Sequence, residues 1–276
     1  MANRVNLTPD IAYAQIDGEP MLLDLYMPDG VKSPPLVVFI HGGGWRNLDR
    51  KRCAITWLPE YGFALASIDY RLSGVAKFPA QIHDAKAAVR FLRANADRFG
   101  YTADRIVVTG TSAGAHLATL LAVAAGHPEL EGAVGDHADT SSAVQAVVGY
   151  FGAYDFFERS RIQPNNTDRP RGSVYQLLGG PVRDHPDRAR LASPRFHVGP
   201  GDPPLLMLHG LLDRTVDAHQ SIRMYQEYRK HDLPVDLRLL HNGVHAGPEF
   251  FRGASRQALL EFLHRHLSHD RSDAAP

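Results

Sequence analysis

Apolar residues along this chain fall into short unbroken runs that alternate with stretches of helical periodicity. An unbroken apolar run is typical of a strand that is buried on both faces, as in a parallel sheet. Apolar runs and alternating patterns predict strands at 11–16, 21–26, 36–40, 63–68, 105–109, 144–149, 204–208 and 235–240. Helices are predicted at about 51–61, 79–99, 217–231 and 254–267, and directly after Ser112. This order predicts the α/β class, with a mostly parallel eight-stranded sheet flanked by helices.

The stretch at 79–99 has the clearest helical periodicity. Its apolar side chains recur at steps of three and four and so share one face: Ile82, Ala85, Val89, Leu92, Ala96 and Phe99. Pro79 suits the first turn of this helix, and Gly100 suits its C-terminal stop. The first two strands are joined by a turn at 17–20, which predicts an antiparallel hairpin at one edge of the sheet.

The stretch at 151–203 breaks this rhythm, because it is rich in Pro, Gly, Asn and Arg and has weak helical periodicity. It is too long for a bare connection, so we interpret it as a cap insertion after the sixth strand, within a single domain that covers 1–276. Eight arginines lie between Arg159 and Arg195, against three aspartates. A solvated surface is the favoured interpretation of these arginines, and attraction of anionic substrates is the alternative.

Bulk composition narrows the function classes. Thirty basic residues balance thirty acidic ones among 276 residues, which argues against a nucleic-acid or membrane-surface protein. The single cysteine, Cys53, excludes an intrachain disulfide, and we interpret it as a helix residue. The N-terminus shows no secretory signal and no apolar run is long enough to span a membrane, so we expect a cytoplasmic protein. The sequence leaves its oligomeric state open, including a homo-oligomer.

Candidate chemistry begins at Ser112, which lies in a Gly-x-Ser-x-Gly pentapeptide between the strand at 105–109 and a helix. This order is the structural context in which the pentapeptide forms a sharp nucleophile turn. Gly110 and Gly114 remove side chains that would collide there, and the turn pushes the serine hydroxyl above the sheet. Because serine needs a positioned base and the base needs an orienting acceptor, two partners are expected.

The expected base is His245, one of fifteen histidines, in a glycine-flanked loop after the last strand. His241 is the alternative, but it directly ends the strand, where we expect packing to hold it. The expected acid is Asp213, early in the loop after the strand at 204–208. Asp217 is the alternative, although a helix N-cap explains it. The order Ser112, Asp213, His245 is that of α/β-hydrolases among the known triads.

An anion-binding nest is the fourth expected part. Consecutive glycines leave backbone N–H groups uncovered, so Gly42 and Gly43 can direct donors at a tetrahedral oxyanion, with the Ala113 amide as a third. A tight turn is the alternative explanation of the glycine run. No metal site is expected, because the acidic loop at 136–139 has no further ligand nearby, and the glycine run is not followed by the Lys-Ser/Thr pair of a phosphate-binding loop.

Four segments of the chain together carry a family resemblance: HGGGW at 41–45, GTSAGAHLA at 110–118, HGLLDRTV at 209–216 and HNGVHAG at 241–247. With them the chain resembles the α/β-hydrolase superfamily, in its carboxylesterase branch related to hormone-sensitive lipase. DYRLS at 69–73 and FPAQIHD at 78–84 are most similar to the bacterial bifunctional feruloyl/acetylxylan esterase-like group. The resemblance implies a Ser112–Asp213–His245 triad, an oxyanion hole at Gly42, Gly43 and Ala113, and no cofactor.

We therefore expect a serine carboxylesterase that acts on a small-molecule ester with a short-chain or small aromatic acyl group. An amidase or arylformamidase-like enzyme with the same triad is the nearest alternative. A non-catalytic binding protein on this fold is the third hypothesis, and it predicts the loss of a triad member, whereas all three residue types are present.

Overall fold

The computed structural model describes residues 3–267 and contains one eight-stranded sheet within them. The strands in chain order are β1 Val5–Ile16, β2 Glu19–Pro28, β3 Pro35–Ile40, β4 Ala64–Ile68, β5 Thr102–Thr111, β6 Ala146–Tyr150, β7 Leu205–Gly210 and β8 Val235–Leu240. Their order across the sheet is β1-β2-β4-β3-β5-β6-β7-β8. The pairs β1–β2 and β2–β4 are antiparallel, and every other pair is parallel. The predicted α/β class and mostly parallel eight-stranded sheet are confirmed.

The unbroken apolar strands are buried on both faces, because each pleat directs alternate side chains to opposite sides of the sheet. In β3, Val38 and Ile40 pack into one core cluster, whereas Val37 and Phe39 pack into the other. Helices cover both faces, so neither set meets water. This double cover explains why β3 is apolar at successive positions instead of alternating.

The helices in chain order are α1 Ala80–Ala94, α2 Ala96–Phe99, α3 Ala113–Val123, α4 Pro128–Glu131, α5 Phe156–Ile162, α6 Pro164–Thr167, α7 Ser173–Leu178, α8 Pro186–Leu191, α9 His219–Lys230 and α10 Gly253–Leu267. Short 3₁₀ turns lie at Arg50–Arg52, Leu58–Tyr61, Val182–Asp184, Pro194–Phe196 and Pro248–Phe251. No helix within residues 3–267 combines the length and the apolar character that a membrane crossing requires.

Two of the predicted helices do not match the helices that the structure shows. The expected helix at 79–99 is divided at Asn95, whose φ of −108° and ψ of 16° depart from helical values. The expected helix at about 51–61 is wrong, because this stretch forms the first two 3₁₀ turns with irregular chain between them. Cys53 lies in that irregular chain and is not a helix residue.

The inserted stretch at 151–203 contains four short helices, α5 to α8, between β6 and β7. Its buried apolar side chains belong to the same core cluster as β3 and α3; among them are Phe156, Val174, Leu177 and Ala189. The stretch therefore packs directly onto the main core. Its helices are only one or two turns long, which explains why periodicity did not predict them.

Candidate active site

The predicted site residues meet at one edge of the sheet, beyond the carboxyl ends of parallel strands. Ser112 follows β5, Asp213 follows β7 by a short turn, and His245 lies in the loop after β8. Gly42 and Gly43 follow β3. Because parallel strands end at the same edge, four loops that are distant in sequence lie close together there.

Ser112 adopts a backbone conformation that non-glycine residues rarely take, with φ of 53° and ψ of −114°. Its amide is held by the Tyr150 carbonyl oxygen of β6 at 2.8 Å. A Cβ atom at Gly110 would collide with the backbone of Gly114, and a Cβ atom at Gly114 would collide with the Ile40 carbonyl oxygen. The sharp turn from β5 into α3 thus requires glycine at both positions.

The three predicted triad side chains form a connected chain of hydrogen bonds. The distance from His245 Nε2 to Ser112 Oγ is 3.1 Å, and that from His245 Nδ1 to Asp213 Oδ2 is 2.6 Å. A carboxylate only accepts, so Nδ1 carries a proton and donates to Asp213. Nε2 can then accept the Ser112 hydroxyl proton, which is the geometry that general-base catalysis requires.

The Asp213 carboxylate is buried and held on both oxygens. Oδ1 accepts from the amides of Thr215 at 2.8 Å and Val216 at 2.9 Å, while Oδ2 faces His245. Burial alone would raise the pKa of Asp213, but hydrogen bonds from His209 and His245 and the Val216 amide outweigh it and hold this pKa below its usual range. The carboxylate therefore stays ionised at neutral pH and can stabilise a protonated imidazole.

The loop that carries His245 is shaped by close backbone contact. Gly243 lies against Gly210 so tightly that a Cβ on either residue would collide with the other's backbone. The Phe151 ring packs edge-on against the His245 ring at 4.8 Å between centroids. The alternative base, His241, also lies at the end of β8, but its side chain is exposed, so the expected packing there is wrong.

The alternative acid, Asp217, lies near the start of α9, where its Oδ1 accepts from the His219 amide at 2.9 Å. Ala218 occupies the N-cap position of α9, so Asp217 lies one residue before it and the predicted N-cap role of Asp217 is wrong. Asp213 also accepts from backbone amides, those of Thr215 and Val216. Proximity to His245 distinguishes the two acids.

Amides of the glycine loop and of the first helical residue border the same cavity as Ser112. Gly42, Gly43 and Ala113 all line it, and none of their N–H groups donates to another group within residues 3–267. The Gly42 carbonyl oxygen is instead fixed by the Tyr70 hydroxyl at 3.0 Å. Gly43 has φ of 92°, and a Cβ there would collide with the Asn47 backbone, so this position requires glycine.

Behind the glycine loop, Trp45 and His116 form a buried contact that sequence reasoning missed. Trp45 Nε1 donates to His116 Nδ1 at 3.1 Å, so the ring proton lies on Nε2, which is 2.6 Å from the Ala192 carbonyl oxygen. Burial lowers the pKa of His116 to about 4, opposed by the Ala192 contact and reinforced by Arg159. The neutral ring ties together the glycine loop, α3 and the inserted stretch.

The cavity above Ser112 has a volume of ≈ 380 Å³. Its walls come from the glycine loop, the Ser112 turn, the loops around Thr215 and His245, and the inserted stretch. Three arginines line it, namely Arg46, Arg159 and Arg171, and no acidic side chain of residues 3–267 does so. Within those same residues there is no cluster of three or more metal-ligating side chains.

Two further residues near Asp213 were not predicted. His209, at the end of β7, is fully buried, and its Nε2 lies 2.9 Å from the Val216 carbonyl oxygen and 3.4 Å from Asp213 Oδ2. Its position directly after an apolar strand was the available signal. Arg159 is 3% exposed and donates to the Thr215 carbonyl oxygen at 3.1 Å. The interpretation of the arginines as a solvated surface is therefore wrong for Arg159.

Comparisons with known proteins show which family and which solved structures this chain is similar to. The BD-FAE family model matches residues 23–228. Esterase LipC of Mycobacterium tuberculosis is 33% identical over 221 residues, which cover 77% of this chain and 53% of LipC. The chain thus spans about half the length of the curated relatives that it matches.

Two solved structures are similar over nearly the whole chain. A truncated carbohydrate esterase from gut microbiota superposes with a TM-score of 0.87 at 27% identity, and the match covers 97% of this chain and 98% of that one. A bifunctional GH43-CE protein of Bacteroides eggerthii also gives a TM-score of 0.87, at 34% identity, over 95% of this chain and 38% of its own.

Proposed function

The chain belongs to the BD-FAE family of α/β-hydrolases, and we propose that it is a serine carboxylesterase. The observation that carries this proposal is the hydrogen-bonded chain from Ser112 through His245 to Asp213, which borders a cavity with free backbone amides. The esterase relatives support the same activity.

In the first step, Ser112 Oγ attacks the acyl carbon of the ester while His245 Nε2 takes the hydroxyl proton. The positive charge that develops on the ring is stabilised by Asp213, whose pKa is held below its usual range, so this carboxylate is already ionised. The protonated Nε2 then gives its proton to the leaving alcohol. An acyl-serine ester and a free alcohol result.

The negative charge on the former carbonyl oxygen would be stabilised by the amides of Gly42, Gly43 and Ala113. These donors are fixed before the substrate arrives, so they do not need to reorganise during the reaction. The Tyr70 contact to the Gly42 carbonyl oxygen helps to fix the loop. Loss of one such donor typically costs roughly 2.7–4 kcal/mol of transition-state stabilisation.

In the second step, water replaces the alcohol. His245 removes a proton from the water, the hydroxide attacks the acyl-serine, and the protonated ring returns the proton to Ser112 Oγ as the acid leaves. The volume of ≈ 380 Å³ suits a short-chain or small aromatic acyl group.

The test combines active-site labelling with turnover. We expect a fluorophosphonate probe to label the wild-type protein and p-nitrophenyl acetate to be hydrolysed, with both lost in Ser112→Ala. The exposed Ser141, outside the cavity, provides the matched control Ser141→Ala, which should retain both. Labelling that persists in Ser112→Ala would show that the probe modifies another residue and that Ser112 is not the nucleophile. Faster turnover of N-formylkynurenine than of p-nitrophenyl acetate would favour the arylformamidase alternative.

A further inference from the structure

Arg159 is a buried cation on the wall of the Ser112 cavity. Its side chain comes from α5, in the inserted stretch, and only 3% of the residue is exposed. One terminal nitrogen, Nη2, donates to the Thr215 carbonyl oxygen at 3.1 Å. Among residues 3–267, neither the buried Nε nor Nη1 has a hydrogen-bond partner. This guanidinium therefore keeps most of its hydrogen-bonding capacity unused.

No carboxylate of residues 3–267 forms an ion pair with Arg159. Asp213 is the acid whose charge acts on it, but the oxygens of Asp213 are engaged by His245 and by the amides of Thr215 and Val216. Burial lowers the pKa of Arg159 to about 10, with Asp213 opposing, so the guanidinium remains charged at neutral pH. A buried cation without a counter-charge is costly unless a ligand supplies one.

The other charged residues of the cavity wall reinforce this imbalance. Arg46 and Arg171 are exposed, line the same cavity, and form no ion pair within the described chain. Arg46 is held towards Arg171 by a 2.8 Å bond to the Arg171 carbonyl oxygen. No acidic side chain of the described residues lines the cavity. The wall thus has three cations beside the proposed nucleophile and favours an anion.

We propose that the Ser112 cavity selects esters that carry a carboxylate, which binds the buried guanidinium of Arg159 while Arg46 and Arg171 attract it from the exposed side. Guanidinium and carboxylate have matching planar geometry and form strong charge-assisted hydrogen bonds. The proposal deepens the proposed ester hydrolysis and rests on it. The carboxylate can belong to the acid half or to the alcohol half of the substrate.

Arg159 also has a structural duty, because its bond to the Thr215 carbonyl oxygen supports the loop that holds Asp213. Loss of that support would slow the hydrolysis of every ester to a similar extent. An anion-binding role instead lowers kcat/KM for the charged ester only. The ratio of two matched substrates therefore separates the two roles.

The experiment compares monomethyl succinate with dimethyl succinate, which place the carboxylate or its neutral ester in the acid half. A second pair, 4-acetoxybenzoate and 4-acetoxybenzamide, tests the alcohol half. We expect wild-type kcat/KM to favour the charged member of at least one pair. In Arg159→Met that preference should fall about 10- to 100-fold, and Arg159→Lys should retain part of it.

Arg171→Gln should lower the same preference by about 2- to 5-fold, since the charge it removes is exposed and screened. Arg183→Gln is the matched control: it removes one cation from the same stretch but outside the cavity, and should leave both rates unchanged. Equal wild-type rates within both pairs, or an unchanged preference in Arg159→Met, would overturn the anion-binding role.

A binding measurement keeps the two proposals distinguishable. We expect succinate to bind Ser112→Ala in calorimetry more tightly than succinamide, and the added change Arg159→Met to abolish the difference. Hydrolysis of neutral esters without any preference for succinate would leave the esterase proposal standing and refute the carboxylate site. Succinate binding without hydrolysis of any ester would refute the esterase proposal but keep the anion site.

Discussion

The Ser112 turn and the inserted stretch at 151–203 are built in different ways. The turn lies between β5 and α3, and its neighbours are buried apolar residues and backbone held by glycines in close contact. The inserted stretch consists of short helices tied to the loop at 213–217 by side-chain bonds to backbone. Arg159 and Gln163 supply two of those bonds, to Thr215 and Arg214.

This difference separates two tasks. The turn places reacting atoms with the rigidity of the sheet, so small changes there should disturb chemistry and stability together. The inserted stretch supplies the charged wall of the cavity, so changes there should alter which ester is preferred. His116 joins the two regions through its contacts with Trp45 and the Ala192 carbonyl oxygen. The following predictions test this separation, beginning with the largest effect.

Asp213→Asn should lower kcat for p-nitrophenyl acetate about 10⁴-fold, because an amide no longer fixes the His245 tautomer that accepts the serine proton. Asp217→Asn is the control, since Asp217 contacts the start of α9 and not His245. It should change kcat less than about twofold. A kcat for Asp213→Asn above one tenth of the wild-type value would contradict the role of Asp213.

Gly114→Ala should destabilise the protein by about 3 kcal/mol, because the new Cβ collides with the Ile40 carbonyl oxygen and forces β3 and the turn apart. Chemical denaturation measures the effect, and p-nitrophenyl acetate turnover should fall with it. At Gly74 a Cβ lies within 4 Å of no other group in the part of the chain that the structure describes, so Gly74→Ala should be neutral or slightly stabilising. Equal stability of the two variants would show that the turn is not rigid.

His116 should make stability depend on pH. Its pKa is about 4 in the folded protein against an ordinary value of 6.5, so between these values the unfolded chain binds more protons. Stability therefore falls as the solution is acidified, by about 2 kcal/mol between pH 7 and pH 5 from this group. In His116→Gln, the free energy of unfolding measured by denaturation should fall by about 2 kcal/mol less between pH 7 and pH 5 than it does in the wild type. The control His219→Gln changes an exposed side chain and should behave as wild type.

Arg183→Gln should give the smallest effect. The Arg183 side chain is 78% exposed, and its one ion pair within residues 3–267 is with the exposed Asp184. Loss of such a surface pair typically changes the free energy of unfolding by less than about 1 kcal/mol. Chemical denaturation measures this free energy. A larger loss would contradict the separation, because the surface of the inserted stretch would then contribute to stability as strongly as the Ser112 turn.

The sequence predicted the sheet well, because strands covered on both faces must be apolar at successive positions, as Leu36 to Ile40 are. It predicted the stretch at 51–61 wrongly, since apolar residues there pack from 3₁₀ turns without forming a regular helix. The break at Asn95 was missed because one residue with non-helical φ and ψ leaves the apolar periodicity on either side unchanged. The predicted α/β-hydrolase resemblance is confirmed by the family and structural matches.

By itself, the sequence determined the fold and the candidate site residues: strand ends, glycines and their spacing are local signals, and parallel strands bring their carboxyl ends to one edge. Only the tertiary structure decided between His245 and His241, because reach to Ser112 depends on how the loop after β8 bends. It alone revealed Arg159 as a buried cation beside that site. The burial of Arg159, and the lack of a paired carboxylate among residues 3–267, arise from contacts between distant segments, which no local pattern of residues encodes.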